Sequence, residues 1–410
     1  MVSKLHITHP AKRVIGKVTI PGSKSESNRL LILRNLYFPD MPIIGLSDSR
    51  DTHTLLNALR STSNVKDIGE AGTAMRFLTA WCAIQTGEEF SLLGTERMYE
   101  RPLGVLVDAL RQLGATIAYE GKEGYPPLRI SGSSLKGGSV ELDGGISSQF
   151  ISALMMIGPA LPEGLRLRMS GFSVSAPYIY LTANLMRRLG FRIQLSGEEI
   201  EIEHFIPEPP VSFQVEPDWS SASYWFLMGL LACETEIYLP GFRQYSLQGD
   251  AFVSGLFDPL GLESHYIGSG FRLKKGEPEL REVYNLSLVH NPDLAQTLAV
   301  AFAAMNIPAT IRGLQTLRIK ETDRLAALQA ELQKTGAEIE IGKDYLQIKQ
   351  GVQTLKDVSF DSWNDHRMAM AFAPLALLEP ITIINPDVVH KSYTSFWKDL
   401  ERVGFQLTYS

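Results

Sequence analysis

Two observations predict an α/β fold assembled from repeated units. An amphipathic helix, a Gly and a short strand recur along the chain, and an almost wholly apolar helix recurs at the same spacing of about 70 residues. The first pattern reads VLVDALRQLGATIAY at 105–119, YLTANLMRRLGFRIQL at 180–195 and FVSGLFDPLGLESHYI at 252–267. It returns as RLAALQAELQKTGAEIEIG at 324–342 and FWKDLERVGFQLTY at 396–409. The glycines 114, 190, 261, 336 and 404 stand where a helix ends in a left-handed cap. TLLNALRSTSNV, 54–65, is a shorter first copy without the Gly.

The apolar helices open on small or polar residues near Lys24, Gly72, Ser147, Ser220, Asp293 and Asp365. A helix apolar on all sides is buried. Six such units account for the whole chain, and the Pro-rich FIPEPPVSFQVEPDW, 205–219, is the best crossing between two lobes of three units.

Composition bounds the function. The 410 residues are 44% hydrophobic and 20% charged, with a net charge of −6, and mean hydropathy is near zero. Wholesale electrostatic binding to nucleic acid or an anionic membrane is therefore not expected. No apolar run is long enough to span a bilayer, and the N-terminus has no signal-peptide core. Two cysteines argue against a disulfide framework or a Cys-ligated metal, and the chain reads as cytoplasmic.

The anion-binding signals are local. PGSKSESNR, 21–29, sets Gly, Lys, Ser and Arg at a helix start, where free N–H groups and the helix dipole favour an anion. It is not a nucleotide P-loop, because Gly16 lies six residues before Gly22 and Ser23 separates Gly22 from Lys24. Lys24, Arg29, Arg76, Arg101, Lys320, Arg324, Arg367 and Lys391 lie near the helix starts and adjoining loops, with Asp293, Glu321 and Asp365 among them. Individually these residues have plainer readings: Ser147 and Ser148 as helix caps, Glu321 and Asp323 as favourable charges at a helix N-terminus, His366 as a structural hydrogen-bonder. Their recurrence at one period favours a shared anion site.

In order, PGSKSESNR, GEAGTAMR, ERPLGVLVDALRQLGA, SSQF, VSAPYI, RIKETDR, NDHRMAM and VVHKSYTSFW resemble the motif series of the 5-enolpyruvylshikimate-3-phosphate synthase family over nearly the whole chain. The resemblance implies the two-lobed enolpyruvyl transferase fold, an inside-out α/β barrel of six βαβαββ units. Three units form each lobe, and the buried helices point their N-termini at the cleft that holds the active site. One lobe would be 1–20 with 218–410, the other 21–217. It implies transfer of the enolpyruvyl group of phosphoenolpyruvate to the 5-hydroxyl of shikimate 3-phosphate, a step of aromatic amino acid biosynthesis. Phosphate is released by addition and elimination through a tetrahedral intermediate, in a monomer without cofactor or metal.

Residue by residue, the resemblance makes Asp293, Glu321 and Lys24 catalytic. Asp293 matches the group that takes the 5-hydroxyl proton, and Glu321 the group that exchanges a proton with the methylene carbon. Lys24, Ser25, Arg29, Ser147, Ser148, Gln149, Ser175, Tyr178, Asp293, Thr316 and Lys320 would hold shikimate 3-phosphate. Lys24, Gly72, Arg101, Gln149, Arg324, Arg367 and Lys391 would hold phosphoenolpyruvate. Together the substrates carry about six negative charges, and the eight cations less Asp293 and Glu321 give about the same positive charge. Glu70, Phe77, Thr316 and Ala176 depart from the family's usual residues. Gly72 keeps room for the family's inhibitor glyphosate, whereas Glu70 and Phe77 argue for weaker inhibition. The sister UDP-N-acetylglucosamine enolpyruvyl transferase is disfavoured, because its loop Cys has no counterpart in GTERMYERPLG, 94–104. A non-catalytic repeat scaffold would explain the period but not the charged helix starts.

Overall fold

A parallel strand pair needs a crossover, and in this chain the apolar helices supply it. In the computed structural model, which describes residues 3–143, 147–170 and 176–410, Val65–Asp67 pairs parallel with Glu89–Leu93 across the helix Gly72–Ala83. The helix Gly104–Gln112 then leads to the hairpin Thr116–Tyr119 and Leu128–Ser131, which completes a four-stranded sheet. The same order recurs from Gly138–Asp143 to Glu199–Ile202 and from Tyr284–Ser287 to Tyr345–Gln350. Gly114, Gly190, Gly261, Gly336 and Gly404 all have positive φ, between 78° and 104°, at the ends of the outer helices.

Three sheets depart from simple succession. Arg13–Lys17 pairs parallel with Glu234–Pro240, more than two hundred residues away. The N-terminal strand Lys4–Thr8 lies between Ile381–Ile384 and Gln406–Tyr409, antiparallel to both. The unit that starts at Lys24 is the short one. Its second helix, Arg50–Arg60, runs into the next unit's first strand without a hairpin, so its sheet has only Ile43–Ile44 and Phe213–Gln214. No sheet among the described residues closes into a barrel; each is open.

The chain divides into two compact units, Met1–Pro21 with Glu216–Ser410, and Gly22–Val215. In the first, the helices Trp219–Leu231, Ala295–Ala304 and His366–Phe372 pack pairwise against one another. In the second, Lys24–Tyr37, Gly72–Ala83 and Ser148–Ile157 do the same. Sheets lie outside these helices, so each helix is enclosed: Trp225, Phe226, Leu298 and Met368 have at most 1% exposure. Burying each such side chain contributes about 1.5–3 kcal/mol.

The polar openings are in part caps. Ser23, Ser147, Asp218 and Asp365 accept from the N–H groups of Glu26, Gln149, Ser221 and Arg367. Among the described residues, nothing gives the helices Gly72–Ala83 and Ala295–Ala304 a side-chain cap bond. Among the described residues no helix is long and apolar enough to cross a membrane.

Candidate active site

In the unit containing residues 216–410, Arg324 is the centre of the charged cluster. It is the first residue of the helix Arg324–Gln333, and its side chain is 2% exposed. Its Nε donates to Asp365 at 2.7 Å, Nη1 to Asp293 at 3.0 Å and Nη2 to Glu321 at 2.9 Å. Burial alone would disfavour the guanidinium charge, but Asp365, Glu321 and Asp293 outweigh it and hold the group protonated, above its ordinary value. Arg367 binds the other oxygen of Asp293 at 3.0 Å and donates to its backbone carbonyl at 3.2 Å. The Nζ of Lys391 lies 3.8 Å from Glu321. The structure thus brings together Asp293, Glu321, Arg324, Arg367 and Lys391. Lys320 immediately precedes Glu321, and Thr316 lies one turn earlier in the short helix Gln315–Ile319.

Two further groups belong here that the pattern of helix openings missed. Asp250 sits in the turn Gly249–Phe252 and accepts from the Ser220 hydroxyl and, at 3.4 Å, from the Asn291 amide. Burial, then the charge of Asp293, pushes its carboxyl up to about 6, against the pull of the Ser220 bond, Arg367 and Asn291. Tyr224, inside the helix Trp219–Leu231, is pushed up to about 12 by burial, opposed by Arg367 and Arg324. An aromatic inside an apolar helix looks like core, and a turn Asp gives no periodic signal.

In the unit 22–215, the Nζ of Lys24 lies 3.3 Å from Asp51, with Ser25 beside it in the first helical turn. Arg29 is buried and bound to neutral acceptors: the hydroxyls of Thr182 at 2.6 Å and Ser152 at 3.0 Å, and the carbonyls of Ser25 and Tyr178. Phe77 and Tyr178 flank it at 5.4 and 6.0 Å. Burial pulls its guanidinium down to about 10, partly offset by Tyr178 and Glu26, so it stays charged at neutral pH. It ties three helices together, a role the sequence did not reveal. Phe77 therefore packs on Arg29, and Glu70 is exposed.

Gly72, Arg76 and Arg101 form a second cationic group. A Cβ on Gly72 would lie 2.4 Å from Nη1 of Arg101 and 2.8 Å from Nη1 of Arg76. Arg76 donates to the carbonyl of Gly72 at 2.9 Å, and Nε of Arg101 is buried without a hydrogen-bond partner among the described residues. Gln149 reaches the same helix start, donating to Thr73 at 3.3 Å. Ser147 caps the helix Ser148–Ile157, and Ser148 is buried. Ser175 lies outside the described residues; Ala176 opens the helix that carries Tyr178.

Two cationic groups, one interlocked with paired carboxylates, on units of open sheets around buried helices define an enolpyruvyl transferase fold. A solved EPSP synthase from Acinetobacter baumannii superposes with a TM-score of 0.76, at 21% identity over all of both chains. An enolpyruvyl transferase, NikO from Streptomyces tendae, gives 0.75 at 16% identity, covering 100% of this chain and 99% of its own. The family model for EPSP synthase (3-phosphoshikimate 1-carboxyvinyltransferase) matches residues 8–63 and 61–400, and the chain belongs to that family. It is 43% identical over 391 residues to a 3-phosphoshikimate 1-carboxyvinyltransferase of Bacteroides fragilis, covering 95% of each. A Haemophilus influenzae protein of the same name is 36% identical over 432 residues, covering 96% of this chain and 98% of its own.

Gly72→Ala is expected to displace both guanidiniums and raise the KM for phosphoenolpyruvate roughly tenfold or more. Steady-state phosphate release checks it, and an unchanged KM would show that Gly72 does not shape a phosphoenolpyruvate site. Asp250 makes a separate expectation. Its folded value lies above the ordinary carboxylate value of 3.8, so its contribution to stability is full below about 4 and is lost as pH rises through about 6. Asp250→Asn keeps both hydrogen-bond partners and removes that loss. The variant should gain thermal stability on wild type between pH 4 and pH 7. A difference that stays constant with pH would show the carboxyl is not the cause.

Proposed function

We propose that this chain transfers the enolpyruvyl group of phosphoenolpyruvate to the 5-hydroxyl of shikimate 3-phosphate and releases phosphate, in the pathway to aromatic amino acids. Family membership supports the reaction. The observation that carries the chemistry is the pair Asp293 and Glu321 on one buried guanidinium, Arg324, at 3.0 and 2.9 Å. The reaction moves one proton at a hydroxyl and one at a carbon, and the two carboxylates are separate groups held by different second cations. Arg367 holds Asp293, and Lys391 holds Glu321.

In the addition, the 5-hydroxyl oxygen bonds to C2 of phosphoenolpyruvate while Asp293 takes its proton, and C3 gains a proton. In the elimination, C3 returns that proton and phosphate leaves C2. Glu321 serves C3, and Lys24 is the third proton-handling group. General acid–base help of this kind contributes about 10²–10⁴-fold each. Arg101, Arg324, Arg367 and Lys391, with Gln149 and Gly72, take the carboxylate and phosphate of the donor, where the bidentate fork of Arg suits both groups. Lys24, Ser25, Arg29, Ser147, Ser148, Gln149, Ser175, Tyr178, Thr316 and Lys320 hold the acceptor; Arg29 does so by fixing Tyr178 and Ser25. A single chain supplies every named group, and a cytoplasmic location fits two small, charged metabolites. The UDP-N-acetylglucosamine reaction is not favoured, since loop 94–104 has no Cys.

Phosphate release should require both substrates together and stop when either is omitted. Asp293→Asn should lower turnover by about 10²–10⁴-fold while shikimate 3-phosphate still binds. Release from phosphoenolpyruvate alone, or near-normal turnover in that variant, would contradict the proposal.

A further inference from the structure

The helix Arg324–Gln333 grips one loop at two points. At its start Arg324 binds Asp365. Seven residues later, two turns along the same face, Glu331 is 1% exposed and accepts from the loop with both oxygens. Oε2 takes the backbone N–H of Asp361 at 2.9 Å and the ammonium of Lys334; Oε1 takes the indole N–H of Trp363 at 2.8 Å. Between the two grips the chain passes through Trp363 and Asn364, successive non-Gly residues with φ of 53° and 54°. That left-handed conformation is disfavoured for any residue with a Cβ, and most for a bulky one. The next residue is Asp365, which caps the helix carrying Arg367 and is itself fully buried.

We infer that Glu331 is a positioning residue for the donor end of the site, holding the strained turn 361–365 in the form that sets Asp365 against Arg324. The substrate names rest on the function proposed above; the clamp does not. A carboxylate is required. Glutamine has the same shape but one acceptor oxygen, so its NH2 would face the N–H of Asp361 or of Trp363. With one grip lost, the left-handed pair relaxes and carries Asp365 with it. Arg324 and Arg367 then lose their common orientation.

The experiment compares Glu331→Gln, Trp363→Phe, Asn364→Gly and the double variant Glu331→Gln/Asn364→Gly by phosphate release. Glu331→Gln should raise the KM for phosphoenolpyruvate about tenfold or more and leave that for shikimate 3-phosphate within about twofold. Trp363→Phe, at an exposed position, should shift it less and in the same direction. Asn364→Gly removes the Cβ cost of the left-handed turn. Alone it should change little, and in the double variant it should recover most of the lost affinity. Equal rises for both substrates, no rise, or no recovery in the double variant would overturn the inference. Amide hydrogen exchange at Asp365–Arg367 reads the clamp without any activity. Exchange should be faster in Glu331→Gln and restored in the double variant; unchanged exchange would overturn the clamp even if wild-type chemistry is as proposed. Wild-type release tests the function separately.

Discussion

Arg324 is a buried cation held by three carboxylates, and the charged cluster of its unit depends on that arrangement. Removing a guanidinium from water is costly unless its N–H groups and charge are matched. Asp365, Asp293 and Glu321 supply the match from a helix cap, a short turn and the residues just before the helix. The cluster in turn keeps Asp293 and Glu321 fixed, because each carboxylate also meets a second cation. In the reaction proposed above, an anionic donor would exchange partners with these groups, taking N–H groups from the carboxylates and freeing them to accept protons.

The repeated architecture puts this cluster where it is. Each apolar helix is enclosed by its neighbours and a sheet, so polar chemistry is confined to its first two turns and the turn before it. That is why Lys24, Gly72, Ser147, Asp293 and Asp365 stand at the head of buried helices. Capping and function share those positions: Asp365 accepts the N–H of Arg367 and the guanidinium of Arg324 with one carboxylate.

Much of this was legible in the sequence for local reasons. A helix that ends in Gly before a short strand encodes its own turn, so the five cap glycines could be placed. A helix without a polar face has to be buried, so the six inner helices could be placed as well. The partners of Lys4–Thr8 and Arg13–Lys17 could not be read, because strand pairing across hundreds of residues leaves no local mark. Arg29 shows the limit at the site. A charged residue near a helix start looks the same whether it meets a ligand or, as here, the hydroxyls of Thr182 and Ser152. Asp250 and Glu331 were missed because the partners that give them their roles, Ser220 for one and Asp361 and Trp363 for the other, lie 30 or more residues away, with no shared period.

The most direct test of the central claim is single-turnover phosphate release by Arg324→Lys with both substrates saturating. Lysine keeps the charge but is one point on a flexible stem, and it cannot bridge three carboxylates. Leaving buried carboxylates unmatched costs about 3–5 kcal/mol. Turnover should therefore fall by about 10²-fold or more, with the fold intact by circular dichroism. Turnover within about threefold of wild type would contradict the claim that Arg324 organises the reacting carboxylates.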